Sequence, residues 1–227
     1  MKMERYSRNK TSLNETEQEK LAGCRVFVAG CGGLGGYIIE LLARTGVGHL
    51  TVADGDVFSE SNLNRQLLCT MDTLGCPKAA SAAERVAIVN PLVTCEAICE
   101  FLTEDNAAGL LAGHDIAIDA LDSAASRALL LNAAMKAGIP LVHGAIAGFY
   151  GRVSVIYPGD STAALISSSN DRGIEQEVGN LSFTASCTAS VQAAETIKCL
   201  LSKGQLCRNR TIELDLLSGE FETISFV

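Results

Sequence analysis

The stretch CRVFVAGCGGLGGYIIELLARTG, residues 24–46, decides the fold. Its apolar run over 24–30 predicts a β-strand, and the dense glycines of AGCGGLGG (29–36) predict a tight turn. The helical spacing of apolar residues over 37–46 predicts a helix that stops at Gly46. A second apolar run, HLTVAD (49–54), predicts the next strand. Strand, glycine turn, helix and strand together form the βαβ unit of a nucleotide-binding domain.

The glycines of this turn have distinct expected roles. Gly30, Gly32 and Gly35 match the pattern GxGxxG, with Gly33 between them. In such a turn, the first glycine permits the sharp bend, the second lets the backbone approach a phosphate, and the third allows close helix packing. Asp54 follows the second strand, where a carboxylate can accept hydrogen bonds from ribose hydroxyls. The motif therefore predicts a nucleotide site, but NAD, FAD and ATP fit it equally well.

The rest of the chain continues the alternation of strands and helices. Helices are predicted over 78–89, 104–113 and 126–138, and strands over 93–98, 115–121 and 140–146. This pattern predicts an α/β fold, Rossmann-like, with a mostly parallel sheet and helices on both faces. An antiparallel strand (151–158), a helix (187–201) and two closing strands (210–217 and 220–227) are expected to extend the sheet. We expect a single domain over 1–227, with an N-terminal arm (1–20) and a crossover loop (159–182).

Composition narrows the classes of partner. The 227 residues carry a net charge of −8, which argues against broad electrostatic binding to nucleic acid or anionic membranes. No window approaches the roughly 18 to 20 apolar residues of a membrane helix, and the N-terminus has no apolar signal core. We expect a cytoplasmic protein. Its nine cysteines include no CxxC pair, so we expect reduced thiols and no structural zinc.

The segment DGDVFSESNLNRQLL (54–68) distinguishes ATP from NAD and FAD as the expected nucleotide. Together with GCPK (75–78), it places Asn62, Arg65, Gln66 and Lys78 downstream of the ribose carboxylate. Such cations and amides can neutralise a triphosphate during attack on its α-phosphorus. A dehydrogenase has no need of them, so the segment favours ATP. An NAD- or FAD-dependent oxidoreductase remains the alternative.

These residues also carry a resemblance to a known family. D-x-D-V-F-x-x-S-N-L-x-R-Q over 54–66 and G-x-P-K over 75–78, downstream of G-x-G-G-L-G over 30–35, resemble the ThiF/MoeB/HesA adenylating enzymes. These are bacterial relatives of ubiquitin-activating enzymes. The resemblance extends over nearly the whole chain, from RYSRN (5–9) to the last strands, and the combined motif set is highly specific.

The resemblance implies roles for the residues that carry it. Asp54 would bind the ATP ribose, and Gln66 would help to hold its segment in place. Asp56 could cap the turn or take part in binding. The residues expected to contact the phosphates are Asn62, Arg65 and Lys78.

Two further residues are implied outside that segment. Asp122, in DALDS (119–123), matches the family aspartate that holds Mg²⁺ near the α-phosphate, and Ser123 stands where the family most often has Asn. Asp119 could aid the site or orient the loop. Arg8 matches an arginine that reaches into the partner subunit's nucleotide site, which implies a homodimer.

The implied reaction is attack by the C-terminal Gly-Gly carboxylate of a small ubiquitin-like sulfur carrier on the α-phosphorus of ATP. It releases pyrophosphate and forms an acyl adenylate, in molybdopterin or thiamine thiazole biosynthesis, and a sulfur donor is a further expected partner. Since the carboxylate is already ionised, catalysis consists of positioning and charge neutralisation by Arg65, Lys78, Arg8 and a metal at Asp122. A non-catalytic nucleotide-binding regulator is a second alternative, against which the intact residue set counts.

The chain departs from the family in its cysteines. Many relatives carry two CxxC pairs for zinc, so this chain resembles a zinc-free short branch. Several relatives also use a cysteine of the crossover loop in sulfur transfer, but residues 159–182 contain none. Cys187 follows that loop near a predicted helix start, where a thiolate is favoured, although a packed core thiol is the simpler interpretation. His143, in an apolar strand, is likewise expected to be a hydrogen-bonded core histidine.

Overall fold

A computed structural model describes residues 4–9, 11–163 and 175–226 of the chain, and eight strands in these ranges form one sheet. The strands are β1 (Arg25–Ala29), β2 (His49–Ala53), β3 (Thr94–Ile98), β4 (Ile116–Asp119), β5 (Leu141–Ala147), β6 (Tyr150–Ile156), β7 (Arg210–Asp215) and β8 (Glu220–Ser225). Their spatial order is β3-β2-β1-β4-β5-β6-β7-β8.

Helices connect and cover these strands. They are α1 (Glu15–Gly23), α2 (Gly33–Thr45), α3 (Lys78–Val89), α4 (Ala107–Leu111), α5 (Ala124–Ala137), α6 (Glu175–Val178) and α7 (Ser182–Leu201). Short 3-10 turns occur at Glu4–Tyr6, Glu60–Asn62 and Met71–Thr73. No helix in the described ranges is long and apolar enough to cross a membrane.

The sheet confirms the predicted fold class. Strands β1 to β5 pair in parallel, whereas β5–β6, β6–β7 and β7–β8 are antiparallel. The chain runs from β1 to β2 on one side and later returns to β4 on the other side of β1. Strand order therefore reverses between β1 and β4, and in open α/β sheets ligands bind in the crevice beyond the strand ends at this position.

Two apolar layers cover the sheet because its strands alternate their side chains. Val26 and Val28 of β1 face the layer that contains Ile38 of α2. Phe27, between them, faces the opposite layer, which contains Leu130 of α5. Both faces of the parallel part are thus buried, as expected for a sheet with crossover helices.

Helix boundaries differ from the sequence prediction. α2 begins at Gly33 rather than at 37, because glycine is a poor helix former whose presence hides the first turn. α4 is shorter than 104–113: Thr103 and Asn106 each accept a hydrogen bond from the other's backbone N–H, at 3.2 and 2.8 Å, and delay the helix start. α7 begins at Ser182 rather than at 187. Within the predicted loop 159–182, residues 164–174 lie outside the described ranges, and α6 follows them.

The N-terminal arm packs against the C-terminal end of α2. Gln18 Nε2 donates to the Thr45 carbonyl at 2.8 Å. The Tyr6 hydroxyl accepts a hydrogen bond at 2.8 Å from Nδ2 of Asn90, which follows α3 and also donates to the Ala43 carbonyl of α2. α1 begins within the arm, where Asn14 and Glu17 form a capping box. The glycine turn lies at the other end of α2, roughly 20 Å away for a helix of this length.

Candidate active site

A cavity of about 330 Å³ opens at the carboxyl ends of β1, β2, β3 and β4. Its walls include most of the residues that the sequence singled out: Gly30, Gly32, Gly33, Asp54, Asp56, Arg65, Gln66, Lys78 and Asp122. Gly35, Asn62 and Arg8 are not among the lining residues.

The glycine turn is shaped by backbone contacts that leave no room for a side chain at Gly30 or Gly35. Gly30 has a φ of +95°, and its N–H donates to the Ala53 carbonyl at 2.8 Å. A Cβ on Gly35 would lie only 1.8 Å from the Gly30 carbonyl oxygen. Gly35 therefore closes the turn against the start of α2, while Gly32 and Gly33 remain exposed to the cavity.

Asp54 is fixed at the end of β2 by backbone donors. Its Oδ2 accepts a hydrogen bond from Cys31 N–H at 2.7 Å, and its Oδ1 accepts one from Asp56 N–H at 2.9 Å. Burial raises the pKa of Asp54, although these two donors and Lys78 act in the opposite direction. The carboxylate is thus oriented and half-buried, as a ribose-binding group needs to be.

Lys78 reaches the cavity because two loop segments pair. Phe58 N–H donates to the Cys76 carbonyl, and Lys78 N–H donates to the Asp56 carbonyl, both at 3.0 Å. The Lys78 side chain is only 9% exposed, and its Nζ lies 3.0 Å from Asp56 Oδ2. Asp56 therefore holds the ammonium group at the wall of the cavity.

Arg65 and Gln66 follow the 3-10 turn Glu60–Asn62. Arg65 Nη1 donates to the Ser61 carbonyl at 3.1 Å and to Asn64 Oδ1 at 2.9 Å, which leaves other donors of the guanidinium available. Gln66 is buried beside Gly32, and its Oε1 has no hydrogen-bond partner among the described residues. An unpaired buried amide oxygen at a cavity wall is a polar group that a ligand or water can satisfy.

Asn62 occupies a supporting position rather than a place on the wall. Its Oδ1 accepts hydrogen bonds from Ser59 N–H at 3.0 Å and from Ser59 Oγ at 3.2 Å. These bonds close the turn that precedes Arg65. These bonds use only Oδ1 of Asn62, and the phosphate contact expected of this residue stays a prediction.

Asp122 lies at the mouth of the cavity, on the turn between β4 and α5. It is exposed, and no side chain in the described ranges pairs with it. The next residue, Ser123, caps α5 by accepting from Ser126 N–H at 3.1 Å. The described residues contain no group of three or more potential metal ligands. One free carboxylate beside a phosphate site fits Mg²⁺, which commonly takes one or two carboxylates, substrate phosphates and water.

The cavity also contains residues that the sequence analysis missed. Glu100, Phe101 and Leu102 follow β3, Arg127 lies on α5, and Asn180 precedes α7. Arg127 Nε donates to the Leu121 carbonyl at 3.0 Å. The carboxyl ends of parallel strands share one edge of the sheet. This rule could have drawn attention to the segment after β3, but no motif marks Arg127 or Asn180.

The cysteines have no evident place in this site. Cys187 is half-buried on α7 and does not line the cavity. Cys31 is fully buried under the glycine turn, where burial and the Asp54 carboxylate raise the pKa of its thiol well above the usual range. Cys31 therefore stays protonated and unreactive at neutral pH.

The cavity lies at the switch point of the sheet, where the strand order reverses between β1 and β4. An oriented carboxylate follows β2 there, and a lysine and an arginine lie beside a glycine turn. These features define a nucleotide-binding α/β protein. The chain belongs to the ThiF family, whose model matches residues 6–226. This confirms the predicted family.

Named relatives agree with this membership. The chain is 36% identical over 230 residues to the SAMP-activating enzyme E1 of Haloferax volcanii, covering 99% of this chain and 85% of the relative. It is 34% identical over 218 residues to the sulfur carrier protein adenylyltransferase of Thermus thermophilus, covering 92% and 80%. The solved structure of E. coli MccB with MccA-N7isoASN superimposes with a TM-score of 0.85 at 19% identity, covering 100% of this chain and 72% of MccB. That last likeness concerns the fold.

Proposed function

We propose that the protein is an ATP-dependent adenylyltransferase that activates the C-terminal Gly-Gly carboxylate of a small ubiquitin-like sulfur-carrier protein. The observation that carries the proposal is that one cavity contains Asp54, Arg65, Lys78 and Asp122. The names of the two relatives above, an activating enzyme and a sulfur carrier protein adenylyltransferase, support the same activity.

The nucleotide would lie across the switch point with its ribose at Asp54. The backbone at Gly32 and Gly33, at the N-terminus of α2, would face the phosphates, where N–H groups and the helix dipole favour negative charge. Arg65, whose side chain lies beside Gly33, and Lys78 would contact the phosphate oxygens. In this orientation the α-phosphate would lie near the turn that carries Asp122.

Charge on the cavity wall argues for a metal-bound nucleotide. Among the described lining residues, Arg65, Lys78 and Arg127 are cationic, whereas Asp54, Asp56, Glu100 and Asp122 are acidic. The wall therefore does not neutralise a triphosphate by itself. Asp122 would hold Mg²⁺, which supplies charge neutralisation at the phosphates.

The chemical step needs no protein nucleophile. The carrier carboxylate attacks the α-phosphorus, the bond to the β-phosphate oxygen breaks, and pyrophosphate leaves with its electron pair. Lys78 and Arg65 stabilise the charge that develops on the phosphate oxygens, and the closed glycine turn keeps the nucleotide in line. A sulfur donor would then consume the acyl adenylate.

A homodimer would complete each site through Arg8. The arm packs at the C-terminal end of α2, while the cavity lies at its N-terminal end. This separation, roughly 20 Å, exceeds the reach of an arginine side chain. Arg8 would therefore serve the cavity of a second copy.

An NAD- or FAD-dependent oxidoreductase is disfavoured, because its dinucleotide has no triphosphate whose charge Lys78 and Arg65 would neutralise.

The assay of the proposed function is carrier-dependent exchange of labelled pyrophosphate into ATP. Exchange is expected with Mg²⁺ and at least one small carrier that ends in Gly-Gly, and it should stop when the carrier lacks its last glycine. Absence of exchange with every Gly-Gly carrier encoded by the same genome would reject the proposal.

Subunit complementation tests the role of Arg8. Arg8→Ala and Asp122→Ala are each expected to abolish exchange, because each removes a different part of every site. Random mixing of the two chains should restore about a quarter of wild-type activity, since half of the dimers then contain one intact site. A mixture as inactive as its components would exclude an arginine supplied in trans.

Asp54 offers a test of ribose recognition. Asp54→Ala should weaken ATP binding about 10- to 100-fold, because hydrogen bonds to a charged group are lost. Calorimetry with ATP and 2′,3′-dideoxy-ATP on wild type and variant forms a double-mutant cycle. The wild type should prefer ATP and the variant should bind both equally. A preference retained by the variant would move the ribose away from Asp54.

A further inference from the structure

A buried polar cluster lies beneath the cavity, at the end of β4. Asp119 is the last residue of β4 and is fully buried. Its Oδ1 accepts a hydrogen bond from Leu121 N–H at 3.0 Å, and its Oδ2 lies 2.7 Å from Nδ1 of His143 on β5. One carboxylate thus joins the neighbouring strand to the turn that leads out of β4.

α7 holds the same residue through its main chain. Gln192, fully buried, donates from Nε2 to the Asp119 carbonyl oxygen at 2.9 Å. Its amide occupies space that Gly144 leaves free, since a Cβ on Gly144 would lie 2.2 Å from the Gln192 side chain. Three elements, β4, β5 and α7, therefore fix both the backbone and the carboxylate of Asp119.

Stability alone does not account for this arrangement. A buried carboxylate is costly unless it is paired, and apolar residues of similar volume often stabilise a core as well or better. The preceding residues of β4, Ile116 and Ile118, fill the core in this apolar way. What the Asp119 carboxylate adds is a bond to the turn 120–123, whose residues Leu121, Asp122 and Ser123 all line the cavity.

The turn also sets the position of a cation. Arg127 Nε donates to the Leu121 carbonyl at 3.0 Å, so a shift of Leu121 would move Arg127 and Asp122 together. We propose that Asp119 and His143 are positioning residues that orient the turn 120–123, and thereby Asp122 and Arg127, for a metal–nucleotide complex. The inference rests on the role of Asp122 proposed above.

The test measures ATP affinity by calorimetry as a function of Mg²⁺ concentration. His143→Leu removes the donor to Asp119, whereas His143→Asn keeps one, because an asparagine Nδ2 can occupy the place of the histidine Nδ1. The Leu variant should need about tenfold more Mg²⁺ for half of the affinity gain, a typical effect of losing a group behind a metal ligand. The Asn variant should return to within about twofold of wild type. Asp119→Ala should behave like the Leu variant.

A matched control separates positioning from stability. Asp160 is another buried carboxylate, paired with Arg208 and Tyr157 N–H, and it does not line the cavity. Asp160→Ala should lower the melting temperature without changing the Mg²⁺ dependence. If Asp119→Ala does not fold, the two His143 variants still decide the question.

Asp122→Ala distinguishes the two possible failures. If Asp122→Ala loses the Mg²⁺ dependence while His143→Leu retains that of wild type, the positioning role is wrong and the proposed function stands. An Asn variant as impaired as the Leu variant also overturns it, because the hydrogen bond is then irrelevant. If Asp122→Ala keeps the Mg²⁺ dependence of wild type, the metal site itself is wrongly assigned.

Discussion

Lys78→Ala is expected to reduce carrier-dependent pyrophosphate exchange by about 100- to 1000-fold, the usual effect of removing one group that stabilises charge in a transition state. The Lys78 side chain is buried, so its ammonium group is poorly screened by water and already oriented by Asp56 at 3.0 Å. A mobile surface lysine would first have to be ordered before it could stabilise the same charge. The loss should appear mainly in the rate constant, with a smaller change in ATP affinity.

The variant should fold normally. Asp56, the partner that Lys78 leaves behind, is half-exposed and remains solvated, so no unpaired buried charge is created. Lys203→Ala is the control, because Lys203 also pairs with a carboxylate, that of the partly exposed Glu17, but does not line the cavity. Equal activity of Lys78→Ala and Lys203→Ala, with both melting temperatures near wild type, would remove Lys78 from the mechanism.

Gly35→Ala and Gly33→Ala should differ sharply although the two residues lie in the same helical turn. A Cβ on Gly35 would lie 1.8 Å from the Gly30 carbonyl oxygen, which is backbone and cannot rotate away. The turn would have to move, at a cost of about 3 kcal/mol. For a chain of this length, the melting temperature should fall by about 6 to 12 °C. ATP binding should be lost with the shape of the turn.

Gly33→Ala is the control for this position. A Cβ on Gly33 would find its nearest neighbours at 3.9 Å or beyond, and Gly33, the first residue of α2, has no left-handed backbone conformation that alanine would strain. The variant should therefore melt no lower than wild type. It should nonetheless weaken ATP binding if a phosphate approaches this backbone, since the methyl group points into the cavity wall. Similar melting temperatures for the two alanine variants would contradict the proposed packing of Gly35.

Much of the fold follows from short-range patterns. All eight strands were predicted. The parallel strands β1, β4 and β5 read as continuous apolar runs because both of their faces are buried, whereas the closing antiparallel strands β7 and β8 alternate apolar and polar residues. The start of α2 was missed, since the glycines that permit the turn also lower helix propensity. Residues 164–174 of the expected loop lie outside the described ranges, and no prediction about them is tested.

The candidate site could be predicted where the motif residues themselves carry the side chains expected to bind the nucleotide. Asp54, Arg65 and Lys78 line the cavity as expected, although their roles stay predictions. Asn62 differs because sequence spacing cannot distinguish an amide that faces a ligand from one that closes a turn. Arg127 and Asn180 could not be predicted, since they reach the cavity only through tertiary packing. His143 was expected to be a satisfied core histidine, and its bond to Asp119 confirms this.

The last hairpin of the sheet, formed by β7 and β8, limits how two copies of the protein can pair. Glu213 lies directly opposite Glu222, and Asp215 opposite Glu220, across β7 and β8. Every residue of β8 is exposed at the sheet edge. A second copy that extended the sheet by pairing its β8 here would add Glu220 and Glu222 of its own to this acidic face, and like charges on facing strands repel. Repulsion of this kind disfavours the pairing of two β8 edges, so two copies that share Arg8 are expected to meet through other surfaces.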